Sequence, residues 1–140
     1  MLRTTPSRIF SGPHEGSGYG ISVAGLGDLN DDGYADVGVG APFCDAYEND
    51  NEEGCVFVYR GSTMGLLNGW WGGGGKAASE CGMAVAGAGD VNGDGYYDLI
   101  IGAPRYFSDD KNPYGKAAVY HGAFAEEITF YRSFLPVINK

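Results

Sequence analysis

The sequence predicts an all-β fold built from two copies of one unit. A shift of 62 residues superimposes residues 28–36 on residues 90–98, and both segments are acidic. Aromatic residues form 14% of the 140 residues, which favours strands over helices. The 25 glycines suit many tight turns, and no segment has helical periodicity and length.

Each copy contains three clear strand segments and a weaker fourth. Strand A is rich in small residues, and strand B is a short apolar run of the kind that is buried on both faces. The predicted strands A to D are residues 19–26, 36–40, 55–59 and 67–71, then 81–88, 98–102, 116–120 and 128–131. Residues 8–10 lie 62 positions before Trp70-Trp71-Gly72, so we predict an extra N-terminal strand equivalent to strand D.

These strands divide the chain into four parts. We expect a strand D-like segment at residues 1–16, two repeats at 17–78 and 79–135, and a tail at 136–140. The glycine run at residues 72–75 is interpreted as a flexible connection inside the array, because the repeat continues through it.

Charge and hydropathy exclude several classes of function. The net charge of −9 argues against a nucleic-acid partner. No apolar run approaches the roughly 20 residues of a membrane span. No apolar stretch follows Arg3, so the start is not a signal peptide, and any export signal is expected outside this chain.

The two acidic segments have the pattern of calcium loops. Oxygen-bearing side chains occupy positions 1, 3, 5 and 9, a backbone carbonyl serves position 7, and glycine at position 6 lets the chain reverse. The candidate ligands are Asp28, Asn30, Asp32, Tyr34 and Asp36 in the first loop, and Asp90, Asn92, Asp94, Tyr96 and Asp98 in the second.

Other interpretations of these loops fit less well. An EF-hand needs an acid at position 12 and helices on both sides, whereas Val39 and Ile101 stand at position 12 and strands flank the loops. Turns with incidental acidic residues are the structural alternative, and the repetition of the spacing argues against it. Mg²⁺ demands tighter octahedral geometry than Ca²⁺.

Four motifs in order carry a family resemblance. They are an aromatic-Gly pair, Asp-x-Asn-x-Asp-Gly-x-x-Asp, Gly-Ala-Pro and Gly-x-Val-x-Val-Tyr-x-Gly, and the resemblance that they carry covers residues 8–122. This frame resembles the FG-GAP repeat, which builds the β-propeller of integrin α subunits and many bacterial surface proteins. The resemblance implies one four-stranded antiparallel blade per repeat and two Ca²⁺ sites at the ten ligands named above. Cys81 departs from it, because the family has an aromatic residue there.

The resemblance also implies a location and a role. It implies a calcium-binding segment of an extracellular or cell-surface protein, with a structural and adhesive role and a protein or glycan ligand. Closed propellers have about four blades or more, so we expect a partial propeller completed by further blades of the chain or by self-association. A lectin-like module that uses Trp70 and Trp71, and a non-catalytic part of a larger surface hydrolase, are the alternatives.

The remaining reactive residues form no catalytic set, so the chain is predicted not to be an enzyme. Ser22 lacks the second glycine of a nucleophile elbow. His14 and His121 have no acidic residue or cysteine at ligand spacing, which favours surface or packing roles.

The three cysteines occupy different positions in the repeats. If strands B and C form a hairpin, Cys44 and Cys55 face each other and form a disulfide, which fits an oxidising compartment; two unrelated thiols are the alternative. The second repeat has Tyr106 and Lys116 at these places. Cys81 is expected to be a small buried apolar residue.

Overall fold

The computed structural model describes residues 2–45, 52–107 and 114–123, and these residues form two antiparallel sheets. The strands of the first sheet are β1 (Ser22–Gly27), β2 (Asp36–Ala41), β3 (Cys55–Arg60) and β4 (Leu67–Gly73), in that order. The strands of the second sheet are β5 (Ala84–Gly89), β6 (Asp98–Ala103) and β7 (Lys116–Tyr120), also in that order. Neighbours in sequence are therefore neighbours in each sheet, as in a propeller blade.

The predicted strands A, B and C are confirmed in both repeats, and strand D is confirmed in the first. Strand β1 begins three residues later than predicted, because Gly18 and Gly20 have φ values of 69° and 92° and the Ile21 N–H donates to the Gly18 carbonyl. This tight turn cannot belong to a strand. The predicted strand at 128–131 and the tail at 136–140 lie outside the described residues.

The predicted N-terminal extra strand is not among the strands of the described residues. Residues 8–10 join neither sheet. A strand needs the backbone groups of a neighbouring strand, whereas this segment lies against side chains: the ring centroids of Phe10 and Tyr59 are 4.1 Å apart. Tyr19, the aromatic residue of the first repeat, packs edge-on against Phe57 on the same sheet. Residues 8–10 therefore cover part of one face of the first sheet, and they do not extend it.

The glycine run at residues 72–75 is also different from the prediction. Gly72 and Gly73 belong to β4, where they pair with Val56 and Cys55. A Cβ on Gly74 would come within 2.5 Å of the Glu53 carbonyl oxygen, so this position is closely packed. Glycine here permits close approach of the backbone and does not provide a flexible link.

The two sheets pack face to face through glycines of β2. A Cβ on Gly38 would lie 2.8 Å from Val85 Cγ1, and a Cβ on Gly40 would overlap the Gly82 carbonyl. The absence of side chains at these positions brings the sheets together around one apolar core. The buried side chains of this core include Leu26, Val56 and Val58 from the first sheet and Val85, Leu99 and Ile101 from the second.

The predicted disulfide is confirmed at the end of the β2–β3 hairpin. Cys44 and Cys55 are bonded, with their Cα atoms 5.5 Å apart. In the second repeat the corresponding residues make a non-covalent contact: Lys116 Nζ lies 4.4 Å from the ring centroid of Tyr106. A covalent bond and a cation–π contact thus close the same hairpin in the two repeats.

Removing the disulfide should cost much more than removing the cation–π contact. The bond spans a sequence separation of 11. Replacing Cys44 and Cys55 by alanine should lower the free energy of unfolding by about 2–4 kcal/mol, because the unfolded chain gains entropy. Lys116→Met, which keeps an apolar stem, should cost about 0.5–1 kcal/mol. Urea unfolding would measure both, and equal losses would contradict this assignment.

The turn that enters the second sheet contains backbone strain. Ala78 and Glu80 have φ values of 52° and 56°, a region that favours glycine. The corresponding residues of the first repeat are Gly16 and Gly18, with φ values of 79° and 69°. Both repeats therefore make the same turn, but the second makes it with residues that carry a Cβ.

Ala78→Gly should relieve part of this strain. We expect a gain of up to about 1 kcal/mol in the free energy of unfolding, because the αL cost for alanine exceeds the entropy that glycine adds to the unfolded chain. Ala77→Gly is the matched control, since Ala77 is exposed and has no positive φ, and it should be neutral or destabilising. Thermal melts of the two variants would show the difference. A loss of stability in Ala78→Gly would contradict the assignment of strain.

Candidate metal centre

Both acidic loops join the first two strands of a sheet, and each begins directly after a β-bulge. The bulges lie at corresponding places, between Gly25 and Gly27 and between Gly87 and Gly89. Gly27 and Gly89 adopt φ values of 75° and 73°. The bulge turns the chain out of the sheet, so the first acidic residue of each loop is placed by the strand before it.

In the first loop, the leading carboxylate organises the turn. Asp28 Oδ1 accepts a hydrogen bond from the Asp32 N–H at 3.0 Å, and its Oδ2 accepts one from the Gly33 N–H at 2.7 Å. Gly33 has a φ of 88°, which allows the reversal that the sequence predicted. The Asp28 carboxylate therefore holds the backbone turn at residues 32–33 in place through two hydrogen bonds.

The amide of Asn30 is the buried group of this loop. Its Nδ2 donates to Asp32 Oδ2 at 2.9 Å, and the residue is 2% exposed. Its Oδ1 is buried and has no hydrogen-bond partner. A buried carbonyl oxygen without a partner costs about 1–3 kcal/mol. A cation at this oxygen would remove that cost.

The last carboxylate of the first loop lies deepest. Asp36 is fully buried; its Oδ2 accepts a hydrogen bond from the Leu29 N–H and its Oδ1 accepts one from the Gly61 N–H, both at 2.9 Å. Burial raises the pKa of this carboxyl, and the two N–H donors oppose that rise. Asp36 therefore fastens the start of the loop to the end of β3.

The second loop repeats this arrangement. Asp90 accepts hydrogen bonds from the N–H groups of Gly93, Asp94 and Gly95 at 2.7, 3.1 and 2.9 Å. Asn92 Nδ2 donates to Asp94 Oδ2 at 2.8 Å. The N–H of Tyr96 and then the amide of Asn92 lower the pKa of the exposed Asp94 carboxyl.

Asp98 performs the fastening role in the second loop. It is fully buried, and it accepts hydrogen bonds from the Val91 N–H at 2.7 Å and the Gly122 N–H at 3.0 Å. Sequence reasoning considered Asp36 and Asp98 only as metal ligands and missed this role. The glycine that follows each strand C, Gly61 or Gly122, was the available signal.

The two loops differ in their surroundings. The Ala123 N–H donates to the Leu29 carbonyl at 3.0 Å, and the Tyr97 N–H donates to the Asp28 carbonyl at 3.3 Å, so the second repeat covers the first loop. Asn92 is exposed, unlike Asn30.

His121 has no acidic residue at ligand spacing along the sequence, but the fold places it beside one. Its Nδ1 is 3.2 Å from Asp98 Oδ1. Its place in the first repeat is taken by Arg60. Spacing along the sequence gave no signal of this contact, because it joins the end of β7 to the second loop.

The residues of the loops fit a hard cation by their chemistry. Within residues 2–45, 52–107 and 114–123, no three carboxylate, imidazole or thiol groups converge as a metal-binding cluster. The carboxylates instead accept backbone N–H bonds, and both oxygens of Asp28 and of Asp36 keep a further lone pair. Carboxylate, amide and carbonyl oxygens form the ligand set that Ca²⁺ prefers. The ten predicted ligands all lie in these two loops, and their coordination stays a prediction.

The other reactive residues considered in the sequence are buried or take part in hydrogen bonds that hold the fold. Cys81 is buried, and burial raises the pKa of its thiol to about 11, so the thiol is protonated at neutral pH. Ser22 Oγ donates to the Gly82 carbonyl at 2.7 Å. His14 is exposed, and its Nε2 accepts a hydrogen bond from the Asp45 N–H at 3.3 Å.

In the described part of the chain, no helix is long and apolar enough to cross a membrane.

Comparison with known proteins identifies the repeat and the relatives. Residues 82–121 match the FG-GAP repeat. Integrin alpha-5 of Xenopus laevis is 37% identical over 109 residues, which are 73% of this chain and 10% of that protein. Integrin alpha-6 of Homo sapiens is 38% identical over 125 residues, which are 84% of this chain and 10% of that protein. Integrin alpha-7 of Mus musculus is 38% identical over 102 residues, which are 71% of this chain and 8% of that protein.

The chain thus spans about a tenth of the length of these relatives. The relatives are integrin subunits and not enzymes, in agreement with the prediction that the chain has no catalytic function. The chain belongs to the FG-GAP repeat family, whose repeats form β-propeller blades, and integrin alpha subunits are its homologues.

Proposed function

We propose that this chain is a calcium-binding part of a β-propeller on an extracellular or cell-surface protein. The observation that carries this proposal is the buried Asn30 Oδ1, which lacks a partner inside a loop that is built twice with the same hydrogen bonds. The integrin relatives support an adhesive role, with a protein or glycan ligand bound by the complete protein.

In this proposal the chain's own oxygens hold the ions. Asp28, Asn30, Asp32, Asp36 and the Tyr34 carbonyl would hold one ion. The corresponding set of the second loop is Asp90, Asn92, Asp94, Asp98 and the Tyr96 carbonyl. A bound Ca²⁺ supplies positive charge that offsets the repulsion between neighbouring carboxylates. The role of the ion is therefore structural.

The hydrogen bonds of the loops explain how an ion stabilises a whole sheet. Asp36 joins the first loop to Gly61 at the end of β3, and Leu29 of the same loop accepts a bond from Ala123 of the next repeat. Fixing the first loop therefore fixes β1, β2 and β3 relative to one another and to the second repeat. The Cys44–Cys55 disulfide supports an oxidising location.

Further blades are the partners that the fold requires. Closed propellers have about four blades or more, and this chain supplies two repeats. One face of the second sheet forms a shallow apolar groove lined by Ala84, Ala86, Ile100, Gly102 and Ala117. Another blade, from the same protein or from a second copy, would cover this face.

Calcium should raise the melting temperature of the chain. An ion that binds only the folded state stabilises it by about 2.7 kcal/mol at a hundred times its Kd. Melts in Ca²⁺, in Mg²⁺ and in a chelator would test this, and we expect the order Ca²⁺, then Mg²⁺, then chelator. Identical melting temperatures in Ca²⁺ and chelator would show that ion binding is not structural.

Single substitutions should remove one ion each. Asp94→Ala should reduce the bound calcium from about two ions per chain to about one, because it removes a predicted ligand from the second loop only. Asp31→Asn is the matched control: Asp31 is an exposed acid between predicted ligands of the first loop, and asparagine tolerates its φ of 56°. Equilibrium dialysis would count the ions. An unchanged count in Asp94→Ala would contradict the ligand assignment.

A further inference from the structure

The chain contains two Asn-Gly pairs in different structural settings. Asn92-Gly93 lies in the exposed second loop, and Asn68-Gly69 lies in β4. Glycine has no Cβ, so its backbone nitrogen is the least hindered nucleophile towards a preceding asparagine side chain. The two pairs share this chemistry and differ only in their surroundings.

The reaction available to such a pair is deamidation. The backbone nitrogen of the glycine attacks Cγ of the asparagine, and a new C–N bond closes a five-membered succinimide ring. The proton of the glycine N–H passes to the departing Nδ2, which leaves as ammonia. Water then opens the ring at either carbonyl and gives aspartate or isoaspartate. Water is the only co-reactant, and nothing is oxidised or reduced.

The contacts around Asn92 assist each part of this step. The Gly93 N–H donates to Asp90 Oδ1 at 2.7 Å. This carboxylate is therefore placed to accept the proton of the attacking nitrogen and relay it to the departing Nδ2. The Asp94 N–H donates to Asn92 Oδ1 at 3.2 Å, where negative charge develops during the attack. Solvent reaches both members of the pair, because Asn92 and Gly93 are exposed.

The surroundings of Asn68 oppose the same step. Asn68 faces Tyr59 in the β3–β4 ladder, and a Cβ on Gly69 would lie 2.8 Å from the Val58 carbonyl oxygen. Asn68 and Gly69 are exposed like the first pair, so strand pairing is the difference between the two settings. Ring closure requires rotation of the backbone at Asn68, which would break its pairing with Tyr59. Asn30, the counterpart of Asn92, is followed by Asp31 and is 2% exposed.

We propose that Asn92 is a site of spontaneous deamidation in the folded protein, and that the modification changes the second acidic loop alone. Isoaspartate adds one methylene to the main chain, so the residues after it lose their register with those before it. The reaction at Asn92 does not depend on the proposed calcium function, whereas its effect on ion binding does. The isoaspartate form should therefore lose the ion of the second loop and keep that of the first.

Peptide mapping after incubation at mildly alkaline pH tests the proposal. Cleavage after lysine and arginine places Asn92 and Asn68 on separate peptides, residues 77–105 and 61–76, and each peptide contains a single asparagine. In chelator, the mass increase from exchange of NH for O should appear on peptide 77–105 at least about tenfold faster than on peptide 61–76. In urea the two rates should converge. Equal rates in the folded protein would overturn the proposal.

Two further measurements separate this proposal from the calcium proposal. Asn92→Gln keeps an amide but lengthens the side chain, so ring closure would need a six-membered ring and peptide 77–105 should show no mass increase. The introduced glutamine is then the only amide side chain of that peptide, so a mass increase as fast as in the parent would contradict succinimide formation and overturn the proposal. Added Ca²⁺ should slow the reaction of the parent protein, because a ligated amide oxygen cannot rotate freely. An unchanged rate in Ca²⁺ would contradict Asn92 as a ligand and leave the deamidation site standing.

Discussion

The fold depends on a buried carboxylate that bonds to two distant parts of the backbone. Asp36 joins the N–H of Leu29, at the start of its loop, to that of Gly61, which follows β3. Asp98 makes the equivalent bonds in the second repeat. A buried charge is costly unless such donors satisfy it, and these donors exist only when the loop and the end of strand C are in place. One side chain thus fixes the position of the loop relative to the two strands that the loop joins and to strand C.

Close packing between the sheets follows from small residues at the contact. Gly38 and Gly40 leave room for Val85 and for the Gly82 carbonyl, so the two sheets share one core. The second repeat also covers the first loop, because Tyr97 and Ala123 donate hydrogen bonds to its backbone. The buried Asn30 lies in this covered loop.

Local patterns predicted most of this structure. The apolar runs, the Asp-x-Asn-x-Asp-Gly spacing and the two cysteines that flank a hairpin each reflect interactions over short distances in sequence, and the structure has the strands, the loops and the disulfide. The contacts between distant residues were not predictable in this way. Phe10 on Tyr59, His121 beside Asp98 and the close packing at Gly74 each depend on how separate elements meet.

The unequal surroundings of the two loops follow from the order of the repeats. The carbonyls of Asp28 and Leu29 accept hydrogen bonds from Tyr97 and Ala123, which belong to the following repeat. A loop is therefore completed by the repeat that comes after it in sequence. Among the described residues no later repeat follows the second loop, and Asn92 is exposed where Asn30 is buried. The difference in burial between the two asparagines thus accompanies the difference in stacking, whereas the residues that follow them, Asp31 and Gly93, differ in sequence.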